Sequence, residues 1–292
     1  MKRFALTFTM AILLGVSAWA QTNYGFKTIK YPHDKFTQLL GINDNNEIAG
    51  YHGANTNKGF TYDLSDNKFT IENYPGSAQT QVIGINNLTE TCGFYVDQSG
   101  VVHGFLDDDG SFKTVDLPGT PFNQLLGRNV VQQAVGYYSE TSDGTGRDHA
   151  YIYDENGGVF EVLTIPNEVN GAQATGINHN GQVTGFFVDG NMVNHGFLLY
   201  QGTFTQLDFP GATFTQALGV NNLGKLVGTY VDAGGLTHGF VYEIKGGTYQ
   251  SIDDPNGIGT TVVNGINDKS ELVGFYGTSP VNSGFVATPK AE

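Results

Sequence analysis

Cysteine is almost missing. Cys92 is the only one in 292 residues, so no intramolecular disulfide framework can form and packing alone must hold the fold. Charge is also scarce, at 14% Asp, Glu, Lys and Arg against a usual value of about 25%. What charge there is runs acidic, with 28 Asp and Glu against 14 Lys and Arg, which argues against nucleic acid or anionic lipid as a partner. Enzyme signatures are missing too: there is no Gly-x-Ser-x-Gly elbow, His-Glu-x-x-His helix, phosphate loop or paired-cysteine metal motif. Glycine, in contrast, is plentiful. Its 41 copies, with aromatics at 12%, argue against disorder, coiled coils and helical bundles, and favour short strands joined by glycine turns around a large core.

The first twenty residues read as a secretory signal peptide. Lys2 and Arg3 precede an apolar run over residues 4–16, and Ala18-Trp19-Ala20 before Gln21 is a small-x-small cleavage pattern. The alternative, an uncleaved membrane anchor, is disfavoured because the run is short for a bilayer span. No later hydrophobic segment reaches spanning length. Cleavage leaves 12 cations against 28 acids, a charge of −16 on residues 21–292. The expected location is therefore secreted or periplasmic.

Residues 21–292 repeat six times. Gly-Ile-Asn or a variant starts at Gly41, Gly84, Gly127, Gly176, Gly219 and Gly265, and a second glycine follows nine residues later at Gly50, Gly93, Gly136, Gly185, Gly228 and Gly274. Downstream come His103-Gly104-Phe105, His149-Ala150-Tyr151, His195-Gly196-Phe197 and His238-Gly239-Phe240, with Lys58-Gly59-Phe60 and Ser283-Gly284-Phe285 as relatives. Each unit also has an aromatic-x-x-aliphatic segment closed by a proline, at Pro32, Pro75, Pro118, Pro166, Pro210 and Pro255. In the fifth unit residues 214–221, 225–231, 237–242 and 248–252 read as four strands separated by turn chemistry.

A four-stranded meander of this length is the size of a propeller blade. The expected fold is all-β: one domain, a six-bladed β-propeller of four-stranded antiparallel blades. The ends of the chain support the count. Residues 26–29 read as an outer strand with no blade before it, and the last unit stops after Gly284-Phe285-Val286 without an outer strand. The N-terminal strand is expected to complete the last blade, which an open β-solenoid would not require. Cys92 stands where the other units have Ala49, Val135, Thr184, Val227 and Val273, so it reads as a small buried side chain. The single tryptophan, Trp19, lies in the signal segment, which disfavours propellers packed on tryptophan and lectins that stack sugars on indole.

On the His-centred motifs quoted above, the chain resembles the extracellular HAF-repeat family, named for a His-Ala-Phe motif. The resemblance covers residues 24–288 and implies a secreted repeat protein, with no catalytic residues to carry over. Lys58 and Ser283 depart from the motif.

Several polar series are candidates for function. Asp97, Glu140, Asp189 and Asp232 occur in the four units that keep His103, His149, His195 and His238, while Ala54 and Thr278 accompany Lys58 and Ser283. The acids and imidazoles are expected to face each other across a hairpin and lock it, in preference to forming acid–base or metal sites. Gln38, Gln81, Gln124, Gln173 and Gln216 stand three residues before the Gly-Ile-Asn glycine, with Val262 in the sixth unit. Either they ring a central channel or they cap backbone groups between blades. The Asn series Asn43, Asn86, Asn129, Asn178, Asn221 and Asn267 reads as turn chemistry.

Departures from symmetry mark further positions. Arg128 replaces an aliphatic residue, and a longer hairpin after Glu140 carries Asp143, Arg147 and Asp148, an asymmetric contact surface or a tolerated insertion. His33, Asp34, His52 and His179 are likewise non-repeated. Asp107-Asp108-Asp109-Gly110 and Asp154-Glu155-Asn156-Gly157 are oxygen-rich and could hold calcium, but lack the spacing of a calcium loop and read better as hairpin turns. No other cofactor or metal is expected. The functional expectation is a monomeric, non-enzymatic extracellular scaffold that binds a polar ligand, carbohydrate or protein, at the channel mouth. The alternative is a propeller enzyme, a hydrolase or lyase with or without calcium, acting on an extracellular polar polymer, whose site should show as an asymmetric cluster of acids, His or Arg near the axis.

Overall fold

The computed structural model describes residues 22–290; the signal-peptide reading of residues 1–20 lies outside them. Among the described residues the chain forms six four-stranded antiparallel sheets, each a blade. The fifth blade runs from inner strand Phe214–Val220 through Lys225–Val231 and Thr237–Glu243 to outer strand Thr248–Ile252. The other inner strands are Thr37–Ile42, Gln79–Ile85, Asn123–Arg128, Ala172–Ile177 and Thr261–Ile266. Blades one to five are continuous in sequence, and the sixth is closed by the N-terminus. Tyr24–Ile29 pairs antiparallel with Val281–Pro289, with Ile29 opposite Gly284 and Gly25 opposite Thr288. That pairing covers an edge that would otherwise expose unpaired backbone groups.

The glycine motifs are packing requirements. Each inner strand shifts register just before the first glycine, as between Leu39 and Gly41 or Ala217 and Gly219. There the six strands approach one another closely. A Cβ on Gly84 would lie 3.1 Å from the Cα of Gly127, and one on Gly265 would lie 3.4 Å from the Cα of Gly41. The second glycine of each unit sits against the inner strand, and in five of the six under an aromatic ring as well: a Cβ on Gly228 would meet the Gln216 carbonyl and lie 2.8 Å from the Phe240 ring. Neither space admits a side chain.

Phe60, Phe105, Tyr151, Phe197, Phe240 and Phe285, the third residues of the His-Gly-Phe series, are fully buried. Each contributes about 1.5–3 kcal/mol by leaving water. Leu39, Val82, Leu125, Ala174, Ala217 and Val263 are also fully buried on the inner strands, so the strand alternation sends the residues on either side of them toward the axis. Cys92 is buried in a cluster with Leu106 and Leu125, and desolvation pushes its thiol up to about 12. No helix among the described residues is long and apolar enough to cross a membrane.

The Asn series does more than turn its own chain. Each side-chain oxygen accepts from backbone N–H groups two and four residues on where those bonds form, as Asn221 does from Leu223 and Lys225. Each side-chain amide donates to the neighbouring blade's Asn carbonyl. Asn43 reaches Asn86 at 3.0 Å, Asn86 reaches Asn129, Asn129 reaches Asn178, Asn178 reaches Asn221, Asn221 reaches Asn267, and Asn267 returns to Asn43 at 3.1 Å. The six bonds make a closed circle at the lower end of the axis.

Candidate functional site

At the upper end, where the inner strands begin, a cavity of about 550 Å³ opens on the axis. Gln38, Gln81, Gln124, Gln173 and Gln216 all line it, with Val262 in the sixth place. Two residues deeper comes a mostly apolar tier of Leu40, Ile83, Leu126, Thr175, Leu218 and Asn264. Tyr51, Phe94, Phe186 and Phe275, each directly after a second glycine, form aromatic walls. The glutamines therefore face the channel, the first of the two orientations the sequence allows.

The glutamine amides are held, not loose. Gln81 donates to Asn57 Oδ1 at 2.8 Å, Gln173 to Asp148 Oδ2 at 2.7 Å, and Gln216 to Asn194 Oδ1 at 3.3 Å. Asp148 and Asn194 begin the third strand of the preceding blade, and Asn57 lies one residue before it. Those bonds occupy a donor on each amide and leave its carbonyl oxygen for the cavity. Gln38 is oriented the other way, accepting from the Tyr51 hydroxyl at 2.6 Å. Where the acceptor position holds Val102, before Gln124, the series loses its bond partner. Burial raises the Asp148 carboxyl above the usual carboxylate range, opposed by its bond from Gln173.

Among the described residues the cavity lining contains no carboxylate, imidazole, ammonium or guanidinium. It is also lopsided. Blade five contributes Phe214, Thr229, Val231 and Thr237 in addition to Gln216 and Leu218, whereas blade three contributes only Gln124 and Leu126. Thr229 stands where the other blades carry Tyr51, Phe94, Tyr137, Phe186 and Phe275. The sequence signal for this gap was visible, as one non-aromatic in a series of six.

The histidines lie away from the axis, each stacked on an aromatic of the second strand: His103 on Tyr95, His149 on Tyr138, His195 on Phe187 and His238 on Tyr230. Their nearest acids correct the hairpin reading in part. His149 bonds Glu140 at 2.8 Å, but in the other three units the hairpin acid is the more distant one. His103 Nε2 is 3.6 Å from Asp97, His195 Nε2 is 3.6 Å from Asp189, and His238 Nε2 is 3.4 Å from Asp232. The tighter bond goes from the other ring nitrogen to an acid after the outer strand, Asp116 at 2.6 Å, Asp208 at 2.7 Å and Asp253 at 2.9 Å. These partners occupy the second position before the repeat proline, where unit three has Thr164 and unit one Asn73. The hairpin acids serve their own turns: the Ser99 hydroxyl and the Val101 amide hold Asp97 down to about 2, and the Val193 and Leu236 amides lead in lowering Asp189 and Asp232.

The two arginines proposed as ligand contacts are engaged by protein. The Arg128 side chain is 1% exposed. Its guanidinium binds Glu155 through two nitrogens at 2.8 and 2.7 Å and Asp108 at 2.6 Å, with Glu90 at 3.6 Å. Burial lowers its pKa, but these acids outweigh that and raise it. Arg128 thus bridges blades two and three, facing no ligand, because an inner-strand position below the glycine pinch points into the packed interior. The same pairing consumes acids from both candidate calcium turns, Asp108 and Glu155. No group of three or more His, Cys, Asp or Glu among the described residues is arranged to hold a metal. Arg147, half-exposed, makes a two-pronged pair with Glu168 at 3.0 and 2.6 Å, which ties the long hairpin to the next loop. His52 bonds Asp34 at 2.8 Å and stacks on Tyr31. His33 adopts a positive φ of 63° beside this pair, and His179 lies at the lower mouth, donating its backbone N–H to Asn222.

Together the blades and the axial cavity define a six-bladed β-propeller with one polar, uncharged mouth. No protein-family model and no curated protein matches the sequence. Solved propellers do match the structure. The fungal lectin of Aleuria aurantia, described as a six-bladed β-propeller with a fucose recognition mode, superposes with TM-score 0.52 at 11% identity over 86% of this chain and 92% of its own. A putative TolB from Agrobacterium tumefaciens gives 0.59 at 10% identity over 79% and 88%. AofleA from Arthrobotrys oligospora gives 0.55 at 11% identity over 88% and 84%. At such identities the likeness is one of fold.

Proposed function

We propose that this protein is an extracytoplasmic, non-enzymatic binding propeller that holds an uncharged polar ligand, a carbohydrate, in the glutamine-rimmed cavity. One observation carries the reading: amide groups and aromatic faces line a pocket without a single charged side chain among the described residues. Fixed amides suit hydroxyl groups, and aromatic walls suit the C–H faces of a sugar ring. A charged peptide terminus or a phosphate would find no counter-charge there. The enzyme alternative lacks support at this mouth, since no acid–base pair converges on it. Lectins among the fold's relatives are in keeping with carbohydrate binding. Within this reading the chain is a HAF-repeat protein exported by its N-terminal segment, a membership that rests on the four His-centred motifs.

The test is a screen of neutral oligosaccharides with labelled residues 21–292, followed by titration calorimetry. Gln81→Ala together with Gln173→Ala is expected to weaken any glycan bound by about tenfold or more, the loss of two oriented hydrogen bonds. A screen with no neutral glycan bound, or a hit indifferent to both substitutions, overturns the assignment.

A further inference from the structure

Between blades five and six the cavity departs from sixfold symmetry at two adjoining positions. The residue after the second glycine is aromatic in five blades but is Thr229 in the fifth. The glutamine three residues before Gly-Ile-Asn is present in five blades but is Val262 in the sixth. The two substitutions are neighbours across a single blade interface, and both line the cavity. The missing ring leaves room. Phe214, Val231 and Thr237 line the cavity on blade five beyond the aromatic row, where no other blade contributes a lining residue, and Phe275 of the row stands beside Val262 on the paired strand.

Apart from the hydroxyl of Thr237, the lobe offers a ligand no free polar side-chain group. The Thr229 hydroxyl donates to the His238 carbonyl at 3.0 Å, and Thr229 is almost fully buried. Its hydroxyl is thus satisfied within the blade, and Val262 offers no polar atom where an amide would have stood. A sugar hydroxyl placed in this lobe would lose its water partners for little return. A hydrocarbon group would gain by leaving water.

We infer that the lobe is a subsite for an apolar substituent, an aryl or alkyl aglycone, attached to the sugar held at the glutamine rim. This rests on the carbohydrate reading for the polar half of the ligand. The lobe adds selectivity that the rim alone lacks: five repeated glutamines recognise hydroxyl groups with little preference for orientation, while a single apolar side chamber fixes which end of the ligand points toward blade five.

The test compares matched methyl and phenyl β-glycosides of glucose, galactose and mannose, with benzyl alcohol as a sugar-free probe. Binding is followed by calorimetry and by NMR of the Val231 and Val262 methyl groups. Two variants return the interface to the repeat pattern: Thr229→Phe and Val262→Gln. The second carries the test if the first fails to fold. The phenyl glycoside is expected to bind about tenfold tighter than its methyl partner, with the ratio falling to about one in either variant. Equal affinities in the unmodified protein, or a ratio that survives both variants, overturn the subsite. If no glycoside binds but benzyl alcohol shifts both valines in the unmodified protein and leaves Val231 unmoved in either variant, the lobe stands and the carbohydrate reading falls; a Val231 shift that persists in both variants overturns the lobe. If benzyl alcohol leaves both valines unmoved in the unmodified protein, the lobe reading falls whatever the sugars do.

Discussion

The side-chain amide of Asn267 donates to the backbone carbonyl of Asn43 at 3.1 Å, across 224 positions of sequence. It is the bond that turns five sequential contacts into a circle, and it joins the last blade to the first independently of the strand exchange above it. Both partners are nearly fully buried, so removing one leaves the other without water to replace it.

Asn267→Ala is therefore expected to lower stability by about 1–3 kcal/mol, the cost of orphaning buried polar groups. Urea unfolding measures it. An unchanged midpoint would show that the circle follows from blade packing and adds nothing to it.

Removing residues 21–32 strips the strand that pairs with Val281–Pro289. The truncated protein should melt far below the intact one or fail to fold, and its exposed edge should promote association. Calorimetry and light scattering would report both effects. An intact melting point would mean the ring holds shut without its outermost strand.

The imidazole bonds make a graded prediction. In double-mutant cycles, His103 should couple more strongly to Asp116, at 2.6 Å, than to Asp97, at 3.6 Å. A coupling of about 0.5–1 kcal/mol is expected for the first pair. Equal couplings would restore the hairpin as the main tie.

Two carboxyls should titrate in opposite senses. The Ser99 hydroxyl and Val101 amide hold Asp97 at about 2, below its ordinary 3.8. The stability it lends is therefore present above pH 4 and lost as pH falls through about 2, and the deficit of Asp97→Asn should vanish over that window. Burial instead lifts Glu72 to about 7 from 4.5, against the Thr91 hydroxyl that donates to it and with the charge of Asp107 adding to the rise. A raised carboxyl favours the fold below pH 4.5, and that contribution drains away as pH climbs through 7. Glu72→Gln should remove this decline, which in the unmodified protein amounts to about 3 kcal/mol. Chemical denaturation between pH 2 and 8 distinguishes the two, and parallel curves for Glu72→Gln and the unmodified protein above pH 4 would contradict the assignment for Glu72.

Much of the fold was legible because its constraints repeat. Gly84 and Gly127 mark strands too close for any side chain, and a requirement repeated six times leaves a periodic trace. The phase offset between residues 26–29 and Gly284 likewise follows from counting strands. The candidate site was only half legible. Alternation showed that Gln38 and Leu39 face opposite ways, but not which of them faces the axis. Asp116 was missed because it lies 13 residues from His103 and reaches it through strand pairing, whereas Asp97 is nearer in sequence. Arg128 looked like a free cation because its acids, Asp108 and Glu155, come from other strands; only the register of two blades brings them to it.

The six glycines where the inner strands crowd together leave an axial void of about 90 Å³, room for a few water molecules at about 30 Å³ each but too narrow for a sugar ring. Anything larger must come and go by the same door. Water driven from the cup can still drain out through the floor, so filling this vessel need not trap the solvent it displaces.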